Sequence, residues 1–284
     1  MFGIPGKQAV SITDKAAAQI AKLMAKDGSE GLRIGVKKGG CAGMEYTMEY
    51  VNEINPMDEV VETNGARVMI ADINGDAAQA MADGIGDAAL AHTVDVGDGA
   101  SVDAMVAVAL ERFGHVDILV NNAGVTHLPT PMEDISEDDF DRVFRVNVKS
   151  VYLTARALVP HMKSRGQGAI LNVASTAGIS PRPKLSWYSA SKGWMNTASR
   201  AMAVELAPEG IRVNALAPVA GETPLLKSFL GEDTPEMRAK FLSTIPIGRF
   251  SQPEDMGNAA CYLCSDEASM ITGVILEVDG GRCI

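Results

Sequence analysis

The sequence predicts an α/β fold built on a doubly wound parallel sheet, and three observations carry that expectation. Short apolar runs alternate with helix-length segments from Gly65 onward, the pattern of a parallel sheet covered by helices on both faces. The chain of 284 residues is long enough for one large α/β domain, or for a domain plus a small module. Its 46% hydrophobic and 21% charged residues are those of an ordinary soluble globular protein.

In chain order, Arg67 to Ala71 reads as a buried strand and Ala77 to Asp83 as the helix after it. Ala91 to Asp95 is the next strand and Ser101 to Phe113 the next helix. Asp117 to Asn121 is a strand followed by a turn, and Ser136 to His161 is one long helical stretch with Pro160 near its end. A strand over Ala169 to Val173, a helix over Tyr188 to Leu206 and a strand over Ile211 to Leu216 follow. Pro235 to Leu242 and Glu254 to Leu263 are helical, and Val274 to Val278 closes the sheet before Asp279-Gly-Gly281. The Met-containing stretch from Leu225 to Ile247 reads equally as a lid over a pocket or as plain helix packing. Glu133 to Asp139 is a solvated helix start, where carboxylates suit the helix dipole.

Composition narrows function before any motif does. A formal charge of −11 opposes nucleic acid as a partner, because phosphate binding needs a basic face. No apolar run approaches the roughly 18 residues of a membrane span, and no signal peptide opens the chain, so a cytoplasmic location without membrane contact is expected. Four cysteines, Cys41, Cys261, Cys264 and Cys283, are too few and too scattered for a disulfide scaffold. Cys261 and Cys264 have CxxC spacing but fall in the apolar run Ala259 to Cys264, which places them in core packing. His92, His115, His127 and His161 share no ligand spacing, and no metal site is expected.

Tyr188 and Lys192 are four residues apart, so on a helix they share one face. An ammonium there can lower the phenol's pKa and ready it for proton transfer near neutral pH. Ser175 lies 13 residues before Tyr188, in Asn172 to Gly178, and Asn147 lies 28 before Ser175, in Phe144 to Val148. Asn121-Asn-Ala-Gly124 follows the apolar run Val116 to Val120. These residues and spacings resemble the short-chain dehydrogenase/reductase family from about Gly65 to Ile284, and Gly6 to Val10 resembles the opening of its first strand.

The resemblance implies a Rossmann-like domain that interconverts small alcohols and carbonyls by hydride transfer with NAD, self-associating as its relatives do. Tyr188 would exchange the proton, Lys192 would lower its pKa and hold the nicotinamide ribose, Ser175 would orient the substrate oxygen, and Asn147 would hold a water in the relay. Hydride transfer to a carbonyl needs a proton donor and a fixed geometry but no metal. Asp72 would accept the adenosine ribose hydroxyls and repel a 2′-phosphate, which favours NAD over NADP. Asp95 and Val96 would flank the adenine, Asn122, Ala123 and Gly124 would line the middle of the cofactor, and Pro218 to Thr223 would close over the nicotinamide. Val219 stands where the family usually has a glycine after that proline, with Gly221 two residues on.

Residues 11–64 break the pattern. A glycine-rich phosphate turn should follow Val10, and Ser11-Ile-Thr-Asp-Lys15 stands there instead. Ile12 to Ala16, Gly31 to Val36, Lys38 to Gly43, Met44 to Met48 and Asp58 to Glu62 resemble the first half of an A-type iron–sulfur cluster carrier, without that family's C-terminal Cys-x-Cys pair. Lys7 and Asp72 are 65 residues apart, about 35 more than the roughly 30 of a βαβ unit of this kind. The chain therefore looks like a chimera, with residues 1–10 and 65–284 dehydrogenase-like and a helix-plus-hairpin segment in place of the glycine turn.

Within that segment Thr13 can cap a helix over Asp14 to Lys26, leaving about Glu30 to Asn64 as a hairpin. Lys38 to Glu45 could be read as a displaced phosphate turn. Glu45 would then face the pyrophosphate, and the alternating Tyr46 to Tyr50 favours a strand where a helix is needed. Cys41 matches the first cluster cysteine of the carriers, but one thiolate cannot hold a cluster that usually takes four ligands. Four readings stand: a dehydrogenase with weakened cofactor binding, a working enzyme in which the hairpin is tolerated as a surface insertion, an iron–sulfur binding or scaffold protein through Cys41, and an inactive chimera.

Overall fold

The computed structural model describes residues 31–39, 43–51 and 66–284, apart from 224–225. The chain divides into two compact units, Met1–Ala66 and Arg67–Ile284. In the first, β1 (Gly31–Gly39) and β2 (Gly43–Val51) form an antiparallel hairpin in which Gly31 faces Val51 and Gly39 faces Gly43. Tyr46 to Tyr50 is thus a strand, as its alternation predicts, and a phosphate turn at Lys38 lacks the helix it would require. The expected strand Gly6 to Val10, the expected helix Asp14 to Lys26 and Cys41 lie outside the described residues.

The second unit alternates strand and helix throughout. β3 (Val68–Asp72), α1 (Gly75–Ile85), β4 (Ala89–Thr93), α2 (Gly99–Phe113) and β5 (Ile118–Asn121) come first. α3 (Glu137–Phe144) runs through a π-helical turn, Arg145–Lys149, into α4 (Ser150–Arg165), followed by β6 (Gly168–Val173), α5 (Ser186–Leu206) and β7 (Ile211–Pro218). The short α6 (Leu226–Leu230), α7 (Pro235–Leu242), α8 (Pro253–Cys264) and β8 (Ile275–Val278) complete the unit.

Side-chain caps set where these helices start. Asn74 accepts from the Ala77 N–H, Asp98 from Ser101, Ser136 from Asp139 and Thr234 from Met237. Glycine with positive φ ends α1 at Gly86, α2 at Gly114 and α4 at Gly166, where a side chain would be strained.

All strand pairs here are parallel. β3 pairs with β4, and β5, β6, β7 and β8 pair in that order. Ile170 of β6 enters one core with Val102, Leu153, Met162 and Val213, whereas its neighbour Leu171 enters another with Leu216 and Leu263. Opposite pointing of successive side chains therefore gives the sheet helices on both faces. Among the described residues no ladder joins β3 to β5, and Ile118 and Val120 of β5 are 46% and 45% exposed. No helix there is long and apolar enough to cross a membrane.

Two expectations shift. The strand expected over Ala91 to Asp95 ends at Thr93, and Asp95 sits in the turn that caps α2. The single helix expected over Ser136 to His161 contains the π turn. Ile170 is 2% exposed on the central strand, so Ile170→Ala is expected to cost about 2–5 kcal/mol, measured as a lower urea midpoint.

Candidate active site

Every catalytic candidate lies at the carboxyl end of β6 or packs against the first turns of α5. Tyr188 and Lys192 are one turn apart on α5, and both side chains are buried, at 5% and 4% exposure. The Lys192 ammonium donates to the Val173 carbonyl at 2.7 Å, so the end of β6 fixes it. Burial disfavours its charge and lowers its pKa to about 8.

Tyr188 packs edge-on against Phe229 at 5.3 Å between ring centres. Burial pushes its phenol up to about 12, while the Ser175 hydroxyl and then the Arg182 charge pull it down. The Arg182 charge bears on the phenol, and the Lys192 ammonium, one turn along α5, is held by the strand carbonyl.

Ser175 is extended and caps a 3-10 turn, Thr176–Gly178, through its Oγ to the Ala177 N–H. A Cβ on Gly178 would stand 2.6 Å from the Lys192 carbonyl carbon, so only glycine lets that turn lie against α5. Asn147 is fully buried in the π turn, a distortion that often marks functional sites. Its amide donates to the Val125 carbonyl and the Ser191 hydroxyl at 2.9 and 3.0 Å, and its Oδ1 accepts from the Val125 N–H at 2.9 Å. It ties the loop after β5 to α5.

A cavity of about 400 Å³ gathers most of these residues. Asp72, Asn122, Ala123, Gly124, Ser175, Tyr188, Lys192, Pro218 and Thr223 all line it. Asp95, Val96 and Asn147 do not. The Asp95 carboxylate accepts from Arg145 at 2.6 Å and from the Gly97 N–H, which together hold it below the usual range. Val96 packs on the main core.

Val219, where a glycine was the family pattern, inserts into an apolar cluster of Leu226, Phe241, Ile245 and Phe250. The side chain thus anchors the loop, and Gly221 takes the close approach: a Cβ there would lie 2.6 Å from the Ser251 Oγ. Among the described residues one triad could approach a metal ion, Glu277, Asp279 and Cys283, and none of the three lines the cavity.

Core packing for both CxxC cysteines does not hold. Cys264 is half-buried and burial raises its thiol pKa, but Cys261 is exposed, because α8 turns Leu263 inward and leaves Cys261 and Tyr262 outside. Sequence reasoning also missed a buried polar chain. Thr154 donates to Asn121, Asn121 to Asn172, and Asn172 to Ser199, each at 2.8–2.9 Å. Polar residues at buried strand positions were its only signal. Arg182 was missed as well; its signal is a charge held between Pro181 and Pro183 ahead of the catalytic helix.

The family model described as enoyl-(acyl carrier protein) reductase matches residues 59–282. This chain belongs to the short-chain dehydrogenase/reductase family. A second model, described as iron–sulphur cluster biosynthesis, matches residues 8–78. Among curated relatives, 4-formylbenzenesulfonate dehydrogenase of Comamonas testosteroni is 50% identical over 186 residues, covering 65% of this chain and 74% of that protein. The 7alpha-hydroxysteroid dehydrogenase of Escherichia coli K12 is 40% identical over 222 residues, 77% of this chain and 85% of its own. Among solved structures, 3-ketoacyl-(acyl-carrier-protein) reductase from Brucella melitensis complexed with NADH is 53% identical with a TM-score of 0.74, covering 78% of this chain and 89% of that one.

The Lys192 shift makes a pH prediction for this dehydrogenase/reductase fold. Its folded pKa, about 8, lies below the ordinary 10.5, so the unfolded chain binds that proton more tightly. The penalty is complete below about pH 8 and is relieved as pH rises toward 10.5, so stability climbs across that window. Tyr188 acts oppositely above pH 10, where the unfolded phenol ionises first. The stability difference between the native protein and Lys192→Met is expected to shift by about 2 kcal/mol in favour of the native protein between about pH 8 and 10, read by urea titration at each pH.

Proposed function

We propose that the protein interconverts a small alcohol and its carbonyl using NAD, with weakened cofactor affinity. One observation carries this reading: a single cavity holds the Asp72 carboxylate, the Asn122–Gly124 turn and the Tyr188–Lys192 pair. That donor set fits a dinucleotide. Asp72 ends β3, where a carboxylate can accept a ribose diol and disfavour a 2′-phosphate, which supports NAD over NADP. Gly124 keeps the wall low beside Lys192, since a Cβ there would stand 3.3 Å from Nζ. When bound, NAD supplies the hydride acceptor and NADH the donor.

The chain's own residues supply the rest. Tyr188 exchanges the proton with the substrate oxygen, and Ser175 orients that oxygen by hydrogen bonding. Lys192, held by the Val173 carbonyl, presents an ammonium beside the cofactor turn. Burial keeps the phenol protonated in the resting site, the state a carbonyl reduction begins from. The relatives support the class, being named for aldehyde and hydroxysteroid dehydrogenation and for ketoacyl reduction. Self-association, as in the family, belongs to the same reading.

Residues 11–64 lack the glycine turn that would cradle the pyrophosphate. Losing about three charge-assisted hydrogen bonds at roughly 1.5–3 kcal/mol each weakens binding at least about a thousandfold. NADH titration by fluorescence should give a dissociation constant near or above about 1 mM; micromolar binding would show that the replacement segment cradles the phosphates after all. Tyr188→Phe should lower alcohol-dependent NADH formation by about 10²–10⁴-fold.

A second reading rests on the match of residues 8–78 to the iron–sulphur model: cluster binding through Cys41. Anaerobic reconstitution with iron and sulfide decides it by visible absorption, and a colourless product ends it.

A further inference from the structure

One charged side chain of the cavity has no ion-pair partner among the described residues. Arg182 lines the cavity, half-buried, in the loop between the Ser175 turn and α5. Its guanidinium carbon lies 4.4 Å from the centre of the buried Phe241 ring, and that of Arg282 lies over the same ring at 5.0 Å. Two cations converge on one ring. Among the described residues neither arginine makes a salt bridge.

The acid nearest in sequence is already committed. Asp279 accepts from the Gly281 and Cys283 N–H groups, and Arg282 donates to the Thr244 hydroxyl. Burial and then the Arg282 charge lower the Arg182 pKa to about 10. Charges withdrawn from water are ordinarily paired. Among the described residues the cavity wall holds one carboxylate, Asp72 at the end of β3, whereas Leu185, Val219, Phe229 and Met256 supply apolar wall.

We propose that Arg182 binds a carboxylate-class oxyanion on the substrate, which makes the substrates of this site carbonyl or alcohol compounds with an apolar body and an anionic end. The assignment rests on the reading of the cavity as the hydride-transfer site. Phe241 holds the guanidinium in place before any ligand arrives, so little ordering is needed on binding. Arg182 lies close enough to Tyr188 for its charge to act on the phenol. An anion paired with Arg182 therefore sets the far end of a molecule whose carbonyl meets Tyr188 and Ser175. The reaction itself is unchanged: bound NADH would supply the hydride for the carbonyl carbon, and Tyr188 would give its proton to the carbonyl oxygen.

The test compares 4-formylbenzoate with its neutral methyl ester, using the full chain and one fixed NADH concentration for both. The native protein should favour the acid in kcat/KM by about tenfold to a hundredfold, mostly through KM. Arg182→Met should erase that preference and Arg182→Lys should keep part of it. Equal ratios in the native protein and Arg182→Met, or a native preference for the ester, would overturn the inference. Should Arg182→Met fail to fold, the Lys variant and added benzoate as a competitive inhibitor give the same comparison. Calorimetric titration with 4-(hydroxymethyl)benzoate separates the two claims. Binding by the native protein that vanishes in the variant, with neither aldehyde reduced, sustains the anion site while the dehydrogenase reading falls; no binding by the native protein, whatever the turnover, sinks the anion site.

Discussion

A buried line of hydrogen bonds from Thr154 through Asn121 and Asn172 to Ser199 holds the catalytic half of this fold in register. It crosses α4, β5, β6 and α5 in turn, and Ser199 closes it on the Met195 carbonyl. In a low-dielectric interior each member is strengthened by the next, and removing one leaves its neighbours unpaired at about 1–3 kcal/mol each. Two apolar strands can slide past one another; strands joined by an amide pair cannot without losing it. The position of Lys192 on the Val173 carbonyl, one residue past Asn172, follows from that register.

The site built on this frame is electrostatically tense. An ammonium, a phenol and a guanidinium are gathered where water is scarce, and burial biases each toward its neutral form. Folding alone does not select such an arrangement, since an apolar side chain at Lys192 would satisfy the same packing. Conflict of this kind between stability and local chemistry is expected where function is housed.

Much of this was legible in the sequence, for identifiable reasons. The i, i+4 spacing of Tyr188 and Lys192 and the strand-ending place of Asp72 follow from element periods alone, and so did the hairpin strand at Tyr46 to Tyr50. The π turn at Arg145–Lys149 was not legible, because one extra residue in a helical run carries neither glycine nor proline to announce it. Asp95 was set two residues too far into its strand because Val94, past the strand's end, is still a core residue. Cys261 misled because its apolar neighbours include Tyr262, which faces solvent. The pairing of Arg182 with Phe241 joins residues 59 positions apart and leaves no local trace.

The division of the parallel strands has a dynamic consequence. Among the described residues β3, α1 and β4 join the main sheet through side chains, with Met69, Ala71 and Val94 in the shared core, and not through a backbone ladder. Among the described residues the block is held by this packing and by the Arg67 bond to the Phe113 carbonyl, and a block held so can open without dragging β5 to β8 with it, with its own, lower, opening free energy. Asp72 rides on that block, whereas Tyr188 and Lys192 ride on the other. Sub-global breathing would therefore separate the ribose contact from the chemistry, and amide exchange would run faster in Val68–Asp72 than in Ile211–Pro218.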